Sequence, residues 1–291
     1  MTINVDPTIG SLGPLSFHWY GLIMAIAVLV GVVVFSFQLR KRSIDPTHAW
    51  GVAVLAVPCG VIGARLFHVA ENFDYYWEHP GKIFGGQLVG LAIYGVITGG
   101  LLGLVVYCRW RKLPVWRVLD STALAFPVGQ VIGKFANIIN GDTWGNPTSL
   151  PWGLTYTNPH AFIPDALLGV PTQPNPIYEQ LWLLVIVGVL VFALPRLKTD
   201  GLAFLLYVGL YSGGRFFLSY LRVNKIIVLG LREAQIAALV GIVLAVSLAL
   251  FLWLRARRAG SLKLVDNAAA CAGTGADTAE SDTGGGREYS E

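Results

Sequence analysis

The 291-residue chain is 54% hydrophobic and only 13% charged, with a formal net charge of +4 at pH 7. Soluble domains carry about 25% charged residues, so this chain has too little charge to cover a water-facing surface. The composition excludes soluble globular and disordered proteins and leaves the polytopic membrane class. Because the basic residues stand at the ends of apolar runs, they indicate orientation in a bilayer rather than nucleic-acid binding.

Apolar segments long enough to cross a bilayer recur along the chain. A transmembrane helix needs about 20 mainly apolar residues. Seven segments meet this length, and they predict an all-α polytopic membrane protein. They are residues 20–39, 49–70, 88–108, 119–139, 177–195, 202–221 and 233–254.

Basic residues follow the first, third, fifth and seventh of these spans. The largest groups are Arg40, Lys41 and Arg42 after the first span and Arg255, Arg257 and Arg258 after the last. All four groups fall on one side only if the spans number seven, and that side is expected to be cytoplasmic. The N-terminus is then outside and the C-terminus inside. Since the first 39 residues contain no Lys or Arg, no cleaved signal peptide is expected.

Two segments outside the spans have distinct compositions. Residues 140–176 are rich in Pro, Gly, Asn and Trp, which predicts a folded extracytoplasmic cap at the membrane interface. Residues 259–291 have no apolar period and predict a disordered cytoplasmic tail. The membrane domain is therefore expected to cover residues 1–258.

Polar residues inside apolar spans are costly, so each is a functional candidate. The sixth span carries four polar residues at helical spacing: Tyr211, Arg215, Ser219 and Arg222. Lys134 and Asn137 share one face of the fourth span. In the third span, Tyr94 lies beside glycines spaced four apart, a pattern that by itself indicates helix packing. His18 precedes the first span.

The sequence lacks the motifs of several known enzyme mechanisms. The chain contains no HExxH, no GxSxG, no P-loop and no pair of aspartates within a span, and its acidic residues are too scattered to indicate a metal site. Cations and neutral polar groups near the outer half of the bilayer remain. Such a set favours binding of a phosphate or a phospholipid headgroup.

Six stretches in this order carry a family resemblance. They are HWYGL (18–22), GARLFHVAENFDYY (63–76), GLAIYG (90–95), GKFANIINGDTWG (133–145), PNPIYE (174–179) and GRFFLSYLR (214–222). Over residues 14–258 the chain resembles the prolipoprotein diacylglyceryl transferases, integral enzymes of the bacterial plasma membrane. The resemblance implies transfer of the diacylglyceryl group from phosphatidylglycerol to the lipobox cysteine thiol of a preprolipoprotein. It also implies release of glycerol phosphate and no metal or organic cofactor.

The resemblance also implies residue roles. Arg215 and Lys134 are expected to hold the lipid phosphate and to act in catalysis, and Asn137 is expected to donate to a headgroup oxygen. Tyr94 is the expected acceptor of the thiol proton, with His18 as the alternative. The remaining positions expected to bind phosphatidylglycerol are Gly145, Tyr20 and Tyr211.

The sequence departs from the family signature at three positions. Lys134 stands where arginine is usual, Asp142 where glutamate is usual, and Ala136 where glycine is usual. Lysine keeps the positive charge but lacks the planar fork that binds phosphate with two parallel hydrogen bonds. This leaves open a catalytically degenerate relative that only binds lipid.

A transporter or channel is the alternative from another class, because polar residues within spans also line transport pathways. Against it, the sequence shows no acidic residue well placed within a span for ion coupling. It also shows no symmetric pair of broken helices.

Overall fold

The computed structural model describes residues 1–13, 15–83, 93–222, 226–228 and 230–280. Helices dominate this part of the chain. They are α1 (Trp19–Lys41), α2 (His48–Glu71), α3 (Phe73–Glu78), α4 (Ile93–Trp110), α5 (Val115–Asn140), α6 (Asn175–Ala193), α7 (Leu202–Leu218) and α8 (Glu233–Glu280). Six of them, α1, α2, α5, α6, α7 and α8, are long and apolar enough to cross a membrane. The prediction of an all-α polytopic membrane protein is confirmed.

The third predicted span differs from the other six. The apolar part of α4 is shorter than a full span, covering Tyr94–Trp110. Residues 88–92 of the predicted span lie outside the described residues. The count of seven spans and the orientation of the termini therefore stay predictions.

The helices pack around α5, which joins two apolar clusters. One cluster combines residues of α1, α2, α4 and α5, and the other combines residues of α5, α6 and α7. The glycine face of α4 packs directly on α2, since a Cβ atom at Gly103 would lie 2.9 Å from the Ala56 Cα. Without a hydrophobic driving force between helices in lipid, close backbone approach of this kind supplies the packing energy.

A buried carboxylate fixes the start of α7. Asp120 in α5 is 1% exposed and accepts hydrogen bonds from the backbone N–H of Gly201 at 2.8 Å and of Phe204 at 2.9 Å. Arg42 lies 3.3 Å from the same carboxylate. An acidic side chain at a helix N-terminus satisfies its free N–H groups and its dipole. The helix that carries Arg215 is thus anchored at its far end.

The segment between α5 and α6 is a folded, largely irregular unit. Strand β4 (Thr155–Tyr156) pairs in parallel with β1 (Thr2–Ile3), so the N-terminus is part of this unit. Tyr156 is 2% exposed and donates its hydroxyl to the Ile138 carbonyl at 3.0 Å. Burial raises the pKa of this phenol above its ordinary value. Two antiparallel hairpins, β2 (Thr8–Leu12) with β3 (Leu15–His18) and β5 (Ile226–Val228) with β6 (Leu231–Arg232), complete the described strands.

The end of the chain differs from the expected disordered tail over residues 259–280. There α8 continues as a helix to Glu280, and the alanines between residues 268 and 279 have high helix propensity. Residues 281–291 lie outside the described residues. The domain boundary at 258 stays a prediction.

Candidate active site

Three cations converge on one carboxylate beside the unit that joins α5 and α6. Glu179, in the second turn of α6, is 7% exposed. Its Oε1 accepts from Arg215 Nη1 at 2.8 Å and lies 3.4 Å from Arg222 Nη1. Its Oε2 accepts from Lys134 Nζ. The structure thus brings Lys134 of α5 and Arg215 of α7 together through a residue of the helix between them.

The four side chains carry a surplus of positive charge. Three cations face a single carboxylate, which leaves two positive charges unmatched among the groups in direct contact. The charge of Asp142 also acts on Arg222. Unmatched charge within a membrane protein is costly, so the arrangement is complementary to an anion.

Close contact between α6 and α7 makes this convergence possible. A Cβ atom at Gly214 would overlap the indole ring of Trp182, which lies one turn after Glu179 on α6. The Trp182 indole N–H donates to the Leu210 carbonyl at 3.0 Å and ties the two helices together. Gly214 therefore permits the approach that places Arg215 against Glu179.

The turn after α5 is organised by Asp142. Gly141, with φ of 76°, ends the helix in the left-handed conformation. The Asp142 carboxylate accepts from Asn137 Nδ2 at 2.8 Å, Asn140 Nδ2 at 2.9 Å and Thr143 Oγ1 at 2.8 Å. One amide hydrogen of Asn137 is thus used within the protein. Asn137 holds the turn in addition to any contact it makes with a ligand.

Gly145 lies in the wall beside the cations rather than against them. It forms a backbone bridge with Arg222. A Cβ atom at Gly145 would lie 2.5 Å from the Gln173 Cβ and 2.8 Å from its carbonyl oxygen. Only glycine fits this close approach. The bridge positions the backbone of Arg222 next to the turn that follows α5.

Asn175 contributes a buried acceptor next to this bridge. Its amide group donates to the carbonyls of Trp144 at 3.4 Å and Leu221 at 3.3 Å. Its Oδ1 is buried, with no hydrogen-bond partner among the described residues. Buried amide oxygens are normally satisfied, so this atom marks a polar position at the edge of the site.

Tyr211 and Tyr94 lie near Arg215 without bonding to it. Tyr211 precedes Arg215 by one helical turn, and its ring centroid is 6.0 Å from that of Tyr207. Tyr94 is half-buried, its ring centroid is 6.0 Å from that of Phe67, and the charge of Arg215 acts on its hydroxyl. Among the described residues, neither hydroxyl has a hydrogen-bond partner.

Tyr20 and His18 lie at the start of α1. Tyr20 is 38% exposed and is reached by the charge of Asp142. His18 is the last residue of β3 and is half-buried. In the part of the chain that the structure describes, no hydrogen bond connects either side chain to Lys134 or Arg215. Any joint action with the cations therefore requires a ligand between them.

An apolar groove of about 570 Å³ runs between α6 and α7 next to the cations. Its lining includes Leu181, Trp182, Val185, Gly214 and Phe217, with Gln173 and Tyr178 at the end nearest the cations. Gly214 and Tyr178 in this lining are the sequence neighbours of Arg215 and Glu179.

Comparison with known proteins connects this arrangement to a family. The family model described as prolipoprotein diacylglyceryl transferase matches residues 7–253. The chain belongs to this family. A phosphatidylglycerol–prolipoprotein diacylglyceryl transferase of Dehalococcoides mccartyi is 36% identical over 253 residues, covering 86% of this chain and 94% of the relative. Proteins of the same name are 34% identical in Symbiobacterium thermophilum, over 88% of this chain and 96% of the relative, and 32% identical in a Nostoc species, over 87% and 90%.

In this family member, two residues of the charged cluster are absent from the sequence-based set of site residues. Glu179 lies inside the predicted fifth span and was given no role there. The cost of an ionised residue in an apolar span was the signal that could have identified it. Arg222 stood in the predicted polar stripe but received no role. Its proximity to Glu179 is visible only in the structure.

Within the described part of the chain, no three or more His, Cys, Asp or Glu side chains lie together as ligands.

Proposed function

We propose that this chain transfers the diacylglyceryl group of phosphatidylglycerol to the lipobox cysteine thiol of preprolipoproteins and forms a thioether, without a metal or organic cofactor. The observation that carries the proposal is the positive surplus held by Glu179, Lys134, Arg215 and Arg222 among membrane-spanning helices. A phosphodiester lipid headgroup carries one negative charge and complements this surplus. The names of the relatives support the same reaction.

The reaction requires charge stabilisation at the phosphate. The cysteine sulfur forms a bond to the C3 carbon of the lipid glycerol, and the bond from that carbon to the phosphate oxygen breaks. Glycerol phosphate leaves with the electron pair, so negative charge grows on its oxygen in the transition state. Arg215 and Lys134 donate charge-assisted hydrogen bonds to this group. Lys134 acts as a point charge, while Arg215 supplies a planar pair of donors.

The thiol proton needs an acceptor, since the thiolate is the nucleophile. Tyr94 can fill this role only as its phenolate, which nearby positive charge must stabilise, and His18 is the alternative at the start of α1. Tyr94 is half-buried, and its hydroxyl, which has no partner among the described residues, is open to a substrate group. Asn137, Gly145, Tyr20 and Tyr211 bind the lipid substrate around the headgroup.

The surroundings suit one lipid and one peptide substrate. The groove between α6 and α7, whose lining includes Gly214, the residue before Arg215, offers an apolar surface for an acyl chain. The unit between α5 and α6, the extracytoplasmic cap of residues 140–176, covers the headgroup side, where the signal peptide of a preprolipoprotein presents its cysteine. The protein then acts in the bacterial plasma membrane with seven spans and binds no nucleic acid.

A reconstituted transfer assay tests the proposal. Purified protein in nanodiscs containing phosphatidylglycerol is incubated with a lipobox peptide, and mass spectrometry measures the thioether product. Transfer by the wild-type protein and loss in the Arg215→Ala variant are expected. Arg196→Ala is the matched control, because Arg196 is an exposed arginine at the opposite end of α6 whose guanidinium contacts the Phe192 carbonyl.

The same preparation separates the alternatives. Bound phosphatidylglycerol without thioether identifies a catalytically degenerate relative. Solute flux across proteoliposomes without thioether identifies a transporter. Either result would refute the proposed transferase.

A further inference from the structure

Glu179 lies behind the three cations that it binds. Its side chain is 9% exposed, whereas Lys134, Arg215 and Arg222 are 20%, 28% and 21% exposed. An approaching anion therefore meets the cations first. Both carboxylate oxygens already accept from cations, so Glu179 is an internal counter-charge rather than a group that faces substrate.

The position of Glu179 is fixed by its neighbours on α6. Gln180 donates to the Val131 carbonyl of α5 at 3.0 Å, and Trp182 donates to the Leu210 carbonyl of α7 at 3.0 Å. These two bonds secure α6 to the helices that carry Lys134 and Arg215. The carboxylate is consequently held at a fixed point between cations from different helices.

We propose that Glu179 is a positioning residue that holds Lys134, Arg215 and Arg222 in one array and limits the positive charge that the array presents to a lipid phosphate. This inference rests on the proposed function. Without the carboxylate, three like charges repel one another and the unmatched charge in direct contact rises from two to three. The donors would then separate from the geometry that the leaving phosphate needs, and small displacements of this kind cost up to about 10²-fold in rate.

Glu179→Gln tests the charge with little change in shape. Two experiments are run in nanodiscs: transfer kinetics, which give turnover and KM with phosphatidylglycerol, and calorimetry, which gives the binding of glycerol 1-phosphate. Turnover should fall about 10²-fold because the cations lose their common acceptor. Binding of glycerol 1-phosphate should become about tenfold tighter, because one opposing charge is removed within several ångströms of the anion.

The control is Asp200→Asn, an acid-to-amide change at the opposite end of the helices. Asp200 accepts from Arg117 at 3.1 Å and lies 3.9 Å from Arg42, and it shares no ion pair with Glu179 or its three cations among the described residues. It should change neither turnover nor phosphate binding. Glu179→Asp keeps the charge but shortens the side chain, so it should lower turnover about tenfold and leave phosphate affinity unchanged.

The outcomes are separable. Lost turnover in Glu179→Gln without tighter phosphate binding means a purely structural role and overturns the proposal, as does unchanged turnover. If Glu179→Gln does not insert, Glu179→Asp decides, and wild-type turnover in that variant refutes the positioning role. If the wild-type protein shows no transfer but Glu179→Gln binds glycerol 1-phosphate more tightly, the transferase proposal fails while the electrostatic role of Glu179 stands.

Discussion

Removing the Arg215 guanidinium is the most direct test of the cation cluster. Arg215 Nη1 lies 2.8 Å from Glu179 Oε1, and the Arg215 side chain is 28% exposed. The side chain is therefore held in place with part of its surface open to a ligand. A unit charge about 4 Å from a phosphate contributes about 4 kcal/mol at an effective dielectric constant of 20. If this interaction develops mainly in the transition state, its loss corresponds to about 10³-fold in rate.

Arg215→Ala should therefore reduce thioether formation about 10³-fold while the protein still inserts. Arg215→Lys should recover little, because lysine lacks the planar fork. At position 134 the reverse change is informative, since Lys134→Arg should keep or increase turnover. Transfer rates are measured in nanodiscs against Arg196→Ala, with size-exclusion profiles as the check on folding. A wild-type rate in Arg215→Ala would remove Arg215 from the mechanism.

Three further predictions concern the proton acceptor, the topology and the tail. Tyr94→Phe keeps the ring and deletes the hydroxyl, so turnover should fall at least about 10²-fold and Tyr94→His should restore part of it; near-normal turnover in Tyr94→Phe would shift the role to His18 or solvent. Reporter fusions should follow the basic loops, with an exterior signal after the last span contradicting seven spans. The expected signals are cytoplasmic after Arg42, Lys112 and Arg258, and exterior near residues 78 and 160. Truncation after residue 262 should leave transfer intact, because the segment beyond has no apolar face to pack; a large loss of activity in well-folded truncated protein would contradict this.

The sequence alone determined the class of the protein and most of its helices. Apolar length is a local property, so α1, α2 and α7 were readable from the chain with small shifts at their ends. Arg215 could be named as a candidate site residue for a similar reason, because an ionised residue inside an apolar run is costly wherever it occurs. The motifs between residues 18 and 222, in their order along the chain, indicated the family, and the comparisons confirmed it.

Only the tertiary structure decided what the polar residues contact. Glu179 meets Lys134, 45 residues away, and Arg215, 36 residues away, because α6 packs between α5 and α7 and Gly214 allows the approach. Likewise, β1 pairs with β4 across more than 150 residues. No local pattern encodes which faces of different helices meet, since that choice depends on packing across the whole bundle. Glu179 could therefore be seen in the sequence, but its contacts with the three cations could be recognised only from the tertiary structure.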